Sequence, residues 1–255
     1  MRTHVQILLL IAVNLAASLT YARPRGGDAG FAFSQDAAAP ERGFRYLDVS
    51  LYAAHDYSGR DAEAFAEIGY GLSDKAYLSV ILAGWSDYEE TLEDGTYESE
   101  SGYDGSGLGL TWNFIDAEER PLGLSWYNGF MVSPESFDLE SQLSVQAIRG
   151  DWDFVYNLGA EFYWEQEADS GVEGSISQSA GMGYQFSEHA VISVEAVHLT
   201  ELSDGSDAGQ ALYMGPSLGI SAGRSFSLLI GHLLFITGSD EAYEKLTSIN
   251  CSVTF

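Results

Sequence analysis

Gly107-Leu108-Gly109-Leu110-Thr111-Trp112-Asn113-Phe114 is the stretch that decides the fold. Side chains of an extended strand alternate between its two faces. Leu108, Leu110, Trp112 and Phe114 therefore share one face, wholly apolar and carrying two large aromatics. Gly107, Gly109, Thr111 and Asn113 share the other, which is small and polar. The same period of two recurs on both sides of this stretch. Leu47, Val49, Leu51 and Ala53 alternate with Asp48, Ser50 and Tyr52, and Ala66, Ile68, Tyr70 and Leu72 with Glu67, Gly69 and Gly71. Phe154, Tyr156, Leu158, Ala160, Phe162 and Trp164 oppose Asn157, Gly159 and Glu161. At the C-terminus Ile249, Cys251, Val253 and Phe255 oppose Asn250, Ser252 and Thr254. Helical i, i+3, i+4 spacing is hard to find, so the chain reads as all-β.

The links between strands sort by length. Tight ones are expected at Ser73-Asp74-Lys75, around Glu119-Arg120-Pro121, at Arg149-Gly150-Asp151, at Ser187-Glu188-His189 and around Gly223-Arg224. Longer polar ones are expected near 55–63, 87–104, 133–138, 165–173, 201–210 and 238–244. Five tight and six longer links join about twelve strands of roughly ten to thirteen residues, enough to cross a bilayer at a tilt. Charge sorts the same way. Segment 87–104 has eight acids and no base, and 165–173 adds four acids, whereas Lys75, Arg120, Arg149 and Arg224 lie in or beside the tight links. Aromatics form two groups. Tyr77, Trp112, Phe114, Trp126, Trp152, Phe154, Tyr184 and Phe226 lie near tight links, and Trp85, Tyr88, Phe130, Phe162 and Trp164 near long ones. Two interfacial girdles, one long-looped rim and one-sided apolar strands together predict a transmembrane antiparallel up-and-down β-barrel over residues 42–255. A soluble β-sandwich has no reason to sort links, charges and aromatics together.

The N-terminus predicts export to the cell outer membrane. Met1–His4 is a short positive start, Val5–Val13 is apolar apart from Gln6, and Thr20-Tyr21-Ala22 supplies small residues at the cleavage positions. Residues 1–22 thus read as a signal peptide, too short to span a membrane. Its removal lowers the formal charge from −27 to −28. Residues 23–41, rich in Gly, Ala and Pro, read as a flexible leader. Such an acidic chain is unsuited to nucleic acid, and the single cysteine, Cys251, allows no internal disulfide. The expected partners are membrane lipid and lipopolysaccharide, a small-molecule solute, and the outer-membrane assembly machinery, through the last strand ending at Phe255.

Two phrases carry a resemblance. Glu67-Ile68-Gly69-Tyr70-Gly71-Leu72-Ser73-Asp74-Lys75 and Leu212-Tyr213-Met214-Gly215-Pro216-Ser217-Leu218 are similar to segments of the outer-membrane barrel family named after the meta-pathway of phenol degradation. The resemblance covers these two segments and the architecture. It implies a channel for hydrophobic or aromatic compounds and transfers no ligand residue.

Gly215-Pro216-Ser217-Leu218-Gly219 fits Gly-x-Ser-x-Gly in letters but has no helical pattern after it and is not a nucleophile elbow, and there is no His-Glu-x-x-His motif. Gly105-Ser106-Gly107-Leu108-Gly109 lacks strand–helix grammar, so it is no phosphate loop and fits a close approach inside the barrel. His189 falls in a tight turn, and His232 lies in an apolar run. Acids expected to point inward, Asp48, Glu67, Glu161 and Glu195, are the candidate pore lining, and they would favour cations or knit a closed lumen. His55, Asp56 and His198 are the rim candidates of the alternative, a protease- or lipase-like barrel enzyme. A structural or adhesive barrel displaying acidic loops is the third reading. The acidic segment Asp87–Asp104 lacks a fixed metal-binding spacing, and no metal or cofactor is implied. Tyr77–Trp85 and Leu228–Phe235 are apolar on both faces, leaving two options: a partly apolar lumen or a bulge that switches the face.

Overall fold

A computed structural model describes residues 31–35, 37, 42–56, 59–91, 96–117, 119–134, 136–165, 172–202, 209–223, 225–239 and 242–255. The predicted signal peptide lies outside them. Twelve strands follow one another without a helix among the described residues: β1 Arg45–His55, β2 Gly59–Ser73, β3 Ala76–Thr91, β4 Tyr97–Ile115, β5 Gly123–Val132, β6 Ser136–Arg149, β7 Trp152–Glu165, β8 Val172–Ser187, β9 Ala190–Leu202, β10 Gln210–Ala222, β11 Phe226–Gly238 and β12 Lys245–Thr254. Each pairs antiparallel with its sequence neighbours, and β1 pairs with β12, so the sheet closes into a barrel. Closure leaves no unpaired edge, which is the condition for a sheet to sit in hydrocarbon.

The two faces separate as the alternation predicts. Leu108, Leu110, Trp112 and Phe114 are exposed on the outside, while Thr111 and Asn113 are buried inside. The outer wall is an apolar band bounded by aromatics. Trp126, Trp152, Phe154 and Tyr184 stand near the tight-turn end, and Trp85, Tyr103, Phe130 and Phe162 near the other. Such a wall is stable against lipid and not against water, so the barrel is of the outer-membrane type. Tyr77 and Tyr88 are corrections to the girdles. Tyr77 meets the luminal Tyr46 and Gln35, and Tyr88 pairs with Asp61 on the inward face.

Link lengths are less sorted than expected. β1 and β2 are separated only by 56–58, where the expectation was a long link over 55–63. Most of the expected loop 87–104 is strand: β3 runs to Thr91 and β4 starts at Tyr97. A backbone ladder needs hydrogen-bond partners rather than apolar side chains, so the hairpin continues past the membrane on polar residues. The link around Glu119-Arg120-Pro121 is longer than expected, spanning 116–122. The Gly150-Asp151 turn is as tight as read, with Gly150 at φ 62°, a conformation glycine adopts without penalty.

The two ambiguous strands resolve differently. In β3 the register shifts between Ile81 and Gly84, so a bulge moves the inward face from Tyr77 and Ser79 to Gly84 and Ser86. Opposite it, Gly105 has φ 130°, and a side chain there would meet the Val132 carbonyl at 2.5 Å. β11 instead turns apolar residues inward, with Leu229 and Leu233 buried.

Candidate functional site

The lumen has two unlike walls. On β9–β12, Val197, Ala211, Tyr213 and Leu233 form a buried apolar cluster, against which Leu199, Phe235 and Leu246 pack. The remaining wall is acidic. Parity from the exposed apolar residues places Asp48 of β1, Glu63 and Glu67 of β2, Asp138 and Glu140 of β6 and Glu161 of β7 on the inward face. Every Lys, Arg and His of the described strand residues (Arg45, His55, Arg60, Arg149, His198, His232, Lys245) falls on the outer face. Arg60, for example, pairs there with Asp87 at 2.5 Å and Glu89 at 3.3 Å. The acids of the lumen therefore have no internal counter-charge among these residues.

The acidic wall is graded along the barrel. Near the tight-turn end the acids are bonded. Asp48 Oδ2 accepts from Asn250 Nδ2 at 2.7 Å, and Glu67 Oε1 accepts from the Tyr46 hydroxyl at 2.6 Å. Further up, Glu63, Glu140 and Glu161 are exposed although they face inward, so the barrel holds solvent-accessible space at that height. Glu140 and Glu161 are direct cross-strand partners, and Asp138 pairs with Tyr163 beside them. Glu140 lies nine residues above the Arg149 turn, about 23 Å up a tilted strand.

The lower half is filled. Ser79, Thr111, Asn113, Ser125, Ser144, Gln146, Asn157, Ser193, Glu195, Ser217 and Ser248 are all buried, and what buries several of them is the chain's own N-terminal segment. Residues 31–35 and 37 of the expected flexible leader lie inside the barrel, which corrects that expectation for these positions. Ala32 and Phe33 donate their N–H groups to Glu195 Oε1 and Oε2 at 2.7 and 3.0 Å, and the Ser217 hydroxyl donates to Oε1 at 2.5 Å. Charge-assisted bonds from several donors are what make a buried carboxylate tolerable. Phe33 packs on the apolar cluster. Composition suggested flexibility because it cannot register that the polar lumen supplies the partners a short peptide needs.

The structure thus places the four sequence-derived acids on the lumen face in two settings. Glu161 belongs to the accessible upper part, and Asp48, Glu67 and Glu195 are hydrogen-bonded nearer the tight-turn end, Glu195 to the N-terminal segment. Glu63 and Glu140 were missed. The alternation of Asp138, Glu140, Gln142, Ser144 and Gln146 with Leu139, Leu143 and Val145 is a signal that could have found Glu140. The rim constellation is not assembled. His55 is on β1 and His198 on β9, strands that share no neighbour, and both side chains point outward. Asp56 instead caps its own hairpin, its Oδ1 accepting from the Gly59 N–H at 2.7 Å. Among the described residues no group of three or more His, Cys, Asp or Glu is placed to hold a metal ion.

No protein-family description and no curated protein matches this chain. Solved structures do match in fold. An outer-membrane channel from Pseudomonas putida superposes with a TM-score of 0.68 at 10% identity, over 86% of this chain and 98% of the other. The β domain of the Bordetella autotransporter BrkA gives 0.57 at 10% identity, over 84% and 100%. The KdgM porin bound to disordered oligogalacturonate gives 0.52 at 9% identity, over 82% and 99%.

Proposed function

We propose that the outer-membrane barrel described above is a passive channel for small solutes that favours cations, driven by the solute gradient alone. The observation that carries this reading is the lumen's charge. Accessible carboxylates at Glu63, Glu140 and Glu161 face a space into which no described strand cation projects. In a low-dielectric enclosure such a ring concentrates cations and repels anions. The apolar wall around Tyr213, Leu233 and Phe235 supports solutes with an apolar or aromatic part, in keeping with the resemblance of the Glu67–Lys75 and Leu212–Leu218 segments to channels for such compounds. An acidic sugar polymer like the one bound to the KdgM porin is a poor fit to this lumen.

Two partners belong to the same reading. Phe255, exposed at the end of β12, suits recognition by the assembly machinery. The acidic β3–β4 hairpin suits contact with lipopolysaccharide through divalent cations.

The test is single-channel recording after refolding in detergent and insertion into a planar bilayer under a KCl gradient. Discrete steps with a cation-directed reversal potential are expected. Anion selectivity, or silence of both the full chain and a chain lacking residues 23–37, would overturn the reading.

A further inference from the structure

The lower half of the lumen is built to read a peptide backbone. Asn157 is 2% exposed and addresses both backbone groups of one residue, its Oδ1 accepting from the Gln35 N–H at 2.9 Å and its Nδ2 donating to the Gln35 carbonyl at 2.7 Å. Two residues on, the Ala37 N–H donates to Gln146 Oε1 at 3.0 Å, and the Ala37 carbonyl accepts from Asn113 Nδ2. Glu195, fully buried, takes the N–H groups of Ala32 and Phe33. The wall also provides seats for two rings. A side chain at Gly181 would meet Phe31 at 2.5 Å, and one at Gly231 would meet Phe33 at 2.6 Å.

A lumen that only needed filling could use apolar side chains, as the cluster of Val197, Tyr213 and Leu233 does. With the peptide gone, Asn157, Gln146 and Glu195 keep only the wall partners Ser179, Asp153 and Ser217 and need water for the rest, so this wall is more stable with a peptide on it than without. We propose that the tight-turn half of the lumen is a binding site for a bent peptide segment with aromatic residues two positions apart. Residues 31–35 and 37 fill it in cis as a self-blocking ligand, and conduction requires them to leave. This regulation rests on the channel reading above. The peptide site does not.

The experiment uses a barrel lacking residues 23–37 and a fluorescently labelled peptide with the sequence of residues 30–38. Saturable binding is expected to the shortened barrel and not to the full chain. Binding should weaken at least tenfold with N157A in the barrel. It should weaken likewise with Gln35→Pro in the peptide, which removes the N–H that Asn157 accepts. In bilayers the shortened barrel should conduct in steps several-fold larger than the full chain, and added peptide should close it. Equal binding of the proline peptide, or no binding to a folded, heat-modifiable barrel, overturns the site. Peptide binding without conduction by either form keeps the site and overturns the channel. Equal conductance by both forms overturns the block and leaves the channel standing.

Discussion

Glu140 on β6 and Glu161 on β7 stand directly opposite each other on the lumen face, both accessible and neither provided with a cation by the described strand residues. Like charges in opposed positions weaken a ladder, typically by a few tenths to about 1 kcal/mol. Fold stability therefore does not explain the pair, whereas attraction of cations does. E140Q is expected to raise the urea-unfolding midpoint in lipid vesicles slightly and to lower cation preference. E161Q in the same background should add little stability, since the repulsion has already gone. A reversal potential that does not move would remove this pair from the selectivity filter.

Leu158 of β7 is exposed on the outer wall, and Gln142 of β6 faces the lumen beside Gly159. Arginine is costly in lipid and tolerable in a wet lumen. L158R is expected to destabilise the barrel by about 2–4 kcal/mol, measured by urea unfolding in vesicles. Q142R should cost far less, chiefly the bond that Gln142 Nε2 donates to Gln35 Oε1 at 2.7 Å, and shift selectivity toward anions. Equal costs would show that the inside and outside have been assigned wrongly.

Tyr46 lies across Gly69 of the neighbouring strand, so that any side chain at Gly69 would overlap its ring. The same ring carries the hydroxyl bonded to Glu67. G69A should therefore cost about 1–3 kcal/mol by overpacking and detach Glu67 from its donor. An unfolding midpoint within error of the parent would mean that the ring has free space elsewhere.

Arg60 bridges Asp87 and Glu89 on the outer surface, with Arg60 36% and Asp87 13% exposed at the side chain. Partly exposed ion pairs contribute about 0–1 kcal/mol and are screened by salt. R60A should lower stability within that range at low ionic strength and lose most of its effect at high salt. A salt-independent loss would instead indicate that the stem of Arg60 packs on the barrel wall.

The barrel was legible because a strand's two faces meet two solvents, and lipid and water each select side chains that sequence displays directly. Leu108–Phe114 needed nothing more than their alternation. The same rule put Asp48, Glu67, Glu161 and Glu195 on one face, and the alternation along β6 displays Glu140 in the same way. It was blind at Leu82, because a bulge changes parity without changing composition. It was also blind along β11, where Leu229 and Leu233 point inward while Leu228 and Ile230 are equally apolar. Hairpin ends such as Thr91 and Tyr97 escaped it because polar residues outside the membrane suit strand and loop alike.

By itself the sequence determined the solvent each face would meet, and hence the strand number, the outer-membrane setting and an acidic interior: period and charge are local properties. Only the tertiary structure decided what Glu195 does. Its partners Ala32 and Phe33 lie 163 and 162 positions away, and whether a buried carboxylate faces water, a cation or a backbone N–H depends on which distant atoms closure brings beside it. The two-walled lumen has the same origin, since β1 and β12 become neighbours only when the ring closes.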